Sequence, residues 1–321
     1  MKNITKKAFI SVLGASLLAM SVPSATFAET ADIDTAEFNV RIEGINECLY
    51  YETVSVPKTN NNLTAADVLE YADNNSDELT ITGLDTNYIT DVNGDTASTF
   101  GGYDGWLYRV NNTEPTTDIA SYDVSDGDSI LLYYGDPYGV GMQYPELSFN
   151  NQLGFLIFTS KDAIYDADYN LHYVQGLVAD LTVKWTRDGK STILTTDKGG
   201  KIQLPDELLA VGEYQVEYYK TNADGIPLVL RSEPNLTVTV DYICGDITGD
   251  RYINAVDASI ILSEYANIAT GTDTTLSDKQ QNVADVDSNG SIDAVDASKV
   301  LSYYAFTSTG GSDSFESFLN N

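Results

Sequence analysis

From Phe38 to Ile42 apolar side chains recur on every second residue, with Val40 between them. That is the period of a strand with one buried face. In "LTAADVLEYADNN" the period becomes helical. Ala66, Leu69 and the pair Tyr71–Ala72 fall on one side, Thr64 stands at the N-cap position, and Asp67 follows three residues on. Short alternating runs come next: "LTITGL", "YITDVNGD", "DGWLYRVNN" and "DSILLYYG", separated by Gly, Asn or Asp. Residues 31–144 therefore predict a small α+β domain, a sheet crossed by one helix. Residues 145–242 predict an all-β domain, from "ADLTVKWTRDGKST" with Trp185 in its strand, "GKIQLP", "GEYQVEYYKT" and "LRSEPNLTVTV".

At residue 243 the pattern changes to a duplicated loop and helix. "DITGDRYINAVD" (Asp246 to Asp257) and "DVDSNGSIDAVD" (Asp285 to Asp296) are in one register. The first runs into "ASIILSEYA" and the second into "ASKVLSYYA", so Leu262 matches Leu301, Ser263 matches Ser302 and Tyr265 matches Tyr304. Chance acidity does not reproduce both the oxygen spacing and the apolar spacing of the next helix, so residues 243–306 are an internal repeat. "TSTGGSDSFESFLNN" at 307–321 reads as a flexible polar tail.

The loop spacing suits a hard cation. Calcium takes six to eight oxygens, and a twelve-residue loop supplies them from positions one, three, five, seven, nine and twelve. In the first loop these are Asp246, Thr248, Asp250, the Tyr252 carbonyl, Asn254 and Asp257. In the second they are Asp285, Asp287, Asn289, the Ser291 carbonyl, Asp293 (directly or through water) and Asp296. Two calcium ions are expected. Gly290 suits the sharp turn of the second loop, whereas Arg251 stands there in the first, so the first loop is expected to be the weaker site. Ile253 and Ile292 match each other and are expected to face the core. "ITDVNGDTASTF" places Asp91, Asn93 and Asp95 like half of such a loop, but Thr96 takes the turn position and Gly102 the closing one. A hairpin at "NGD" is the better reading.

Charge and composition narrow the setting. Lys2, Lys6 and Lys7 precede an apolar run from Ala8 to Met20, and Ala28 offers a cleavage point, the pattern of a secretory signal peptide over 1–28. The chain has 17 Lys plus Arg against 48 Asp plus Glu; without the three leader lysines the balance is 14 − 48 = −34. Such a surface repels nucleic acid and anionic lipid. No later stretch is long enough to span a membrane. The two cysteines, Cys48 and Cys244, are compatible with one bridge or with two free thiols. The single histidine, His172 in "NLHYVQG", has no visible partner and reads as structural or exposed.

Three resemblances add to this. "VLEYA", "YITDVNG", "GYDGWLYRVNN" and "YDVSDGDSILLYYGDP" resemble a domain of unknown function related to the C-terminal domain of transcobalamin, whose relatives help enclose a corrinoid. Gly212, Tyr214 and Val216 resemble the G-x-Y-x-C stretch of immunoglobulin-like sandwiches, with valine in place of the cysteine, which implies a core role for Trp185. The repeat resembles the type I dockerin. Its loops close with Asp, and "LTVTVDYIC" before the first loop reads as a strand, so only the following helix is expected for each loop. That resemblance implies a calcium-folded module that binds a cohesin domain of a scaffold protein. It implies contacts at Ala255, Val256 and Ser259 and, in the second copy, at Ala294, Val295 and Ser298.

The expected protein is thus multi-domain: a transcobalamin-like α+β domain, an immunoglobulin-like β-sandwich and a small all-α dockerin. Its expected role is a secreted, extracellular, non-catalytic component of a cellulosome-like, polysaccharide-degrading complex. No nucleophile with an oriented base and no acid pair in a cleft is visible, although the many acids leave a glycoside hydrolase open as a weaker alternative. A carbohydrate-binding or adhesion module is an alternative role for the first two domains, with polysaccharide as a second candidate partner through Trp106, Tyr103, Tyr134, Tyr138 and Tyr144; strand core is the favoured alternative for Trp106. Corrinoid binding is the remaining one.

Overall fold

The computed structural model describes residues 34–58, 62–86, 88–136, 138–165 and 171–320, with side chains at 162–165 and 171–173 excepted. The proposed signal peptide lies outside the described residues, as does the side chain of His172.

The first domain is built on β1 (Thr35–Glu43) and β2 (Cys48–Pro57), an antiparallel pair. The short β3 (Leu63–Thr64) leads into α1 (Ala65–Asn75). Thr64 caps α1 as expected, with a reciprocal bond to Asp67, a device that contributes about 1 kcal/mol. Then come β4 (Ile81–Thr82), β5 (Asp91–Val92), β6 (Asp95–Thr96), β7 (Gly105–Val110), β8 (Asp123–Val124) and β9 (Ser129–Gly135). The main sheet has the order β2-β1-β9-β7, with β1 and β9 parallel. Phe38, Val40 and Ile42 bury the predicted face of β1 in one core with Val68 and Leu69 of α1 and with Ile130 and Leu132 of β9. The acidic "NGD" segment is the β5–β6 hairpin. Asn93 (φ 52°) and Gly94 (φ 98°) make its turn, and Asp91 accepts hydrogen bonds from the Gly94 amide (3.0 Å) and the Thr96 hydroxyl (2.8 Å).

The second domain comprises β10 (Pro145–Asn150), β11 (Phe155–Tyr165), β12 (Leu171–Leu177), β13 (Thr182–Arg187), β14 (Lys190–Thr195), β15 (Lys201–Gln203), β16 (Gly212–Tyr219) and β17 (Thr237–Val240). One sheet is β10-β11-β12 with β15 added to β11; the other is β14-β13-β16-β17. Leu156 and Phe158 of the first sheet share one core with Val183, Trp185 and Val216 of the second. Trp185 is buried and stacks on Tyr214, ring centroids 4.6 Å apart, and Val216 packs in the same core where a cysteine would otherwise stand. Tyr214 Oη donates to Ala210 O at 2.9 Å, the tyrosine corner of such sandwiches. The two domains meet at buried Glu43, which accepts from Arg41 Nε at 2.7 Å, while Arg41 Nη2 donates to Arg231 O at 2.7 Å. Both cysteines are free thiols, Cys48 half-buried and Cys244 exposed.

The third domain holds α2 (Ala255–Thr270), α3 (Asp278–Ala284), α4 (Ala294–Ser308) and α5 (Phe315–Leu319). Two expectations are corrected here. The second loop does have an incoming helix, α3, started by a capping box between Ser277 and Gln280. The segment after 306 is no loose tail either. Phe315 is only 2% exposed, and its ring lies 4.9 Å from that of Tyr303. The Phe318 ring packs tilted against that of Phe306, centroids 5.2 Å apart. Phe315 also lies against Gly245, where an added Cβ would come within 2.4 Å of the ring. Aromatic burial therefore orders a segment whose Gly/Ser content reads as flexible.

Candidate metal centre and docking faces

Position nine of each loop is the N-cap of the helix that follows, and position twelve is its third residue. Asn254 accepts from Val256 N at 2.7 Å and Asp293 from Val295 N at 2.6 Å. Asp257 Oδ2 accepts from Asn254 N at 3.0 Å and Asp296 Oδ2 from Asp293 N at 2.9 Å. The other oxygen of each closing aspartate reaches back to the loop's start: Asp257 Oδ1 to Thr248 N (3.0 Å), Asp296 Oδ1 to Val286 N (2.9 Å). Asp257 and Asp296 are wholly buried. One carboxylate thus caps the helix and folds the loop over it, which fixes both functions on the same side chain.

The first position works in the same way. Asp246, 1% exposed, accepts from the amides of Gly249 (2.8 Å) and Arg251 (2.7 Å) and from Thr248 Oγ1 (3.1 Å). Asp285 accepts from Asn289 N (3.0 Å) and Gly290 N (2.8 Å). Position five turns the chain: Asp250 accepts from Tyr252 N at 2.9 Å and Asn289 from Ser291 N at 2.9 Å. The Tyr252 carbonyl accepts from Asn254 Nδ2 at 2.8 Å. Ile253 and Ile292 pack against the domain core, as expected.

The loops differ in what converges. In the second, oxygens of Asp285, Asp287 and Asp296 all lie within 4.8 Å of one another. Asp287 Oδ1 is buried without a hydrogen-bond partner, and Lys299 Nζ lies 3.0 Å from the Oδ2 of the same carboxylate. No other three-group acidic, His or Cys cluster occurs among the described residues. In the first loop Thr248 replaces one acid. Burial pushes the Asp246 carboxyl up, with the nearby Asp257 charge adding to it, and burial likewise pushes Asp296 up. Buried, mutually repelling carboxylates with an orphaned oxygen are a donor set that a hard cation satisfies, so the residues fit calcium.

Beside the loops, the six expected contact residues, Ala255, Val256, Ser259, Ala294, Val295 and Ser298, are all exposed. Val256 is 55% and Val295 51% exposed. The exposed apolar stripe continues along each helix through Leu262 and Tyr265, and through Leu301 and Tyr304. Their spacing of three residues, matched in the two copies, is the signal that marks them as part of the same faces. Ser263 and Ser302 each donate to the serine one turn back at 2.8 Å, so the copies agree in detail.

Residues 244–303 match the Dockerin type I domain. Type I dockerins bind calcium, and the match lies on the loops and helices just described. Residues 64–136 match a domain of unknown function, DUF4430. No curated protein matches the chain. Among solved structures, haptocorrin in complex with Cbi is similar over 32% of this chain and 26% of its own, with 20% identity and a TM-score of 0.27. The chain thus spans about a quarter of that protein's length, and likeness at this level carries no argument about a ligand. No described helix is long and apolar enough to cross a membrane.

The candidate aromatics of the first domain do not form one surface. Tyr134 is buried, and Trp106 is half-buried with Nε1 donating to Asp95 O at 3.0 Å, which agrees with the core reading. Tyr144 shares a hydrogen bond with Tyr133 at 2.8 Å and lies under Arg109. Tyr103 is exposed. Trp106 and Tyr138 line a cleft of about 230 Å³ together with Tyr88, Tyr108, Glu114 and Asp118.

Proposed function

We propose that the chain is a secreted, non-catalytic component of a cellulosome-like, polysaccharide-degrading complex. It attaches through two calcium ions and its dockerin domain to a cohesin of a scaffold protein. The observation that carries this reading is the pair of matched exposed stripes, from Val256 to Tyr265 and from Val295 to Tyr304, beside two matched loops, in the second of which three carboxylates converge. A small apolar pair at the helix start meets a flat partner without stranding a buried polar group. Each stripe begins at the valine whose amide donates to the position-nine side chain, Asn254 or Asp293, and the closing aspartate holds the amide of that same position-nine residue, so calcium and docking belong to one device. The first two domains are cargo in this reading. Titration of the full chain into cohesin domains, with calcium and with chelator, tests it: binding only with calcium supports the reading, and no binding to any cohesin contradicts it.

A second reading concerns the cargo. The cleft that holds Trp106 and Tyr138 offers aromatic faces beside the carboxylates Glu114 and Asp118, a lining suited to a sugar ring. Pull-down on insoluble and soluble polysaccharides tests that role, with Tyr138→Ala as the control.

A further inference from the structure

Arg251 occupies the turn position that Gly290 fills in the second loop, and its backbone lies in the left-handed region at φ 70°. A residue with a Cβ is strained there. Its guanidinium reaches the neighbouring domain. Nη2 donates to Asn151 O at 2.6 Å and to Gln152 O at 3.0 Å, in the turn between β10 and β11. Its amide meanwhile donates to Asp246 Oδ2 at 2.7 Å. One residue therefore holds both the first ligand of the loop and the adjacent domain.

The accepting turn is itself fixed. The Asn151 side chain exchanges two 3.0 Å hydrogen bonds with the Asp241 backbone. Gln203 Nε2 donates to Leu153 O at 2.8 Å. The rest of the first loop also leans on this domain: Tyr252 Oη donates to Asp206 Oδ2 at 2.9 Å. At Gly249 an added Cβ would lie 2.7 Å from Val211, so the backbones approach closely. The second loop makes no bond of this kind from its turn residue, which is glycine.

We propose that Arg251 is a positioning residue that couples calcium at the first loop to the packing of the dockerin domain on the β-sandwich. It rests on the reading of the first loop as a calcium site. The loop must hold Asp246, Asp250 and the Tyr252 carbonyl in one arrangement to meet one ion. A loop held from outside has less ordering to lose on binding. Linkage makes the effect reciprocal, so calcium tightens the domain contact as much as the contact tightens calcium. The plain alternative is that Arg251 is a poor replacement for glycine, which weakens the site through backbone strain and positive charge. The two accounts give opposite signs on mutation.

The test uses the full chain in an Asp287→Ala background, which silences the second loop, with calcium titrated by calorimetry. Arg251→Gly removes strain and charge together with the latch. Coupling predicts calcium binding weaker by about tenfold, within the usual range for linked sites. It also predicts faster amide exchange at Leu153 and Gly154, both in this variant and in the parent chain in chelator. Unchanged or tighter binding in Arg251→Gly overturns the proposal. Should that variant not fold in saturating calcium, Tyr252→Phe decides, because it removes only the Asp206 bond and leaves the carbonyl ligand: weaker binding supports coupling and unchanged binding overturns it. A parent chain that binds no calcium at the first loop overturns the calcium reading and this proposal together; a parent that binds with no change on Arg251→Gly overturns this proposal alone.

Discussion

Lys299 Nζ lies 3.0 Å from Asp287 Oδ2, while Oδ1 of the same carboxylate is buried without a partner. The first repeat has Ile260 and Thr248 in these two places. An acid ligand is thus matched with a lysine, and a neutral ligand with an isoleucine. The lysine lowers the net negative charge around the second site. Lys299→Ile is expected to tighten calcium at that site roughly fivefold, a modest gain because the lysine is about one-third exposed and screened by water. Calorimetry checks it; weaker binding would mean that Lys299 acts by orienting Asp287.

The buried carboxylates make the calcium effect pH-dependent. Burial raises Asp246 and Asp296, so without a cation the fold favours their protonated forms. Stability from these groups is then present in acid and lost as pH rises through their folded values. Calcium needs the ionised forms and reverses the sign. The gain in melting temperature on adding calcium is expected to be small at about pH 4 and to grow toward about pH 7. Thermal melts with calcium and with chelator read this directly; a gain independent of pH would show that these two groups do not face the ion.

Glu264 in α2 is 1% exposed, and neither carboxylate oxygen has a hydrogen-bond partner. The second repeat has Tyr303 there, with its hydroxyl bonded to Asp313 O at 3.0 Å. A buried unpaired polar group costs free energy that an apolar side chain does not. Glu264→Leu is expected to stabilise the dockerin domain by about 1–2 kcal/mol. Denaturant melts in calcium check this, and a destabilised variant would show that Glu264 serves a contact of its own.

Phe315 joins the end of the domain to its start, against Tyr303 and Gly245. Phe315→Ala is expected to cost about 3 kcal/mol, at the lower end for a buried aromatic on a short helix. The helix signal of α2 and α4 in calcium should then melt several degrees earlier. An unchanged melt would show that α5 is dispensable.

The duplicated loops and the exposed residues that open each following helix were legible in the sequence, because oxygen spacing and helix period repeat together from Asp246 and from Asp285. So was the capping of α1 by Thr64, which depends on residues three apart. What was not legible is long-range. Lys299 meets Asp287 across twelve residues, and Arg251 meets Asn151 across a hundred. No local period records either pairing. The order of the C-terminal segment was hidden for a related reason: its two phenylalanines gain their environment from Tyr303, Phe306 and Gly245, not from their polar neighbours. The short α3 was missed because seven residues give too few turns to show a period.

Calcium-dependent docking through the paired faces is tested most directly by calorimetry of the full chain against a cohesin panel. The comparison is between the parent, Val256→Asp, Val295→Asp and the double variant. The matched copies predict that each single variant still binds through the other face. The double variant is predicted to lose binding by at least about a hundredfold, since a charge would be desolvated in either orientation. Its circular dichroism should still show the calcium-induced helix signal. A double variant that binds cohesin like the parent, or a parent that binds equally well in chelator, contradicts the account.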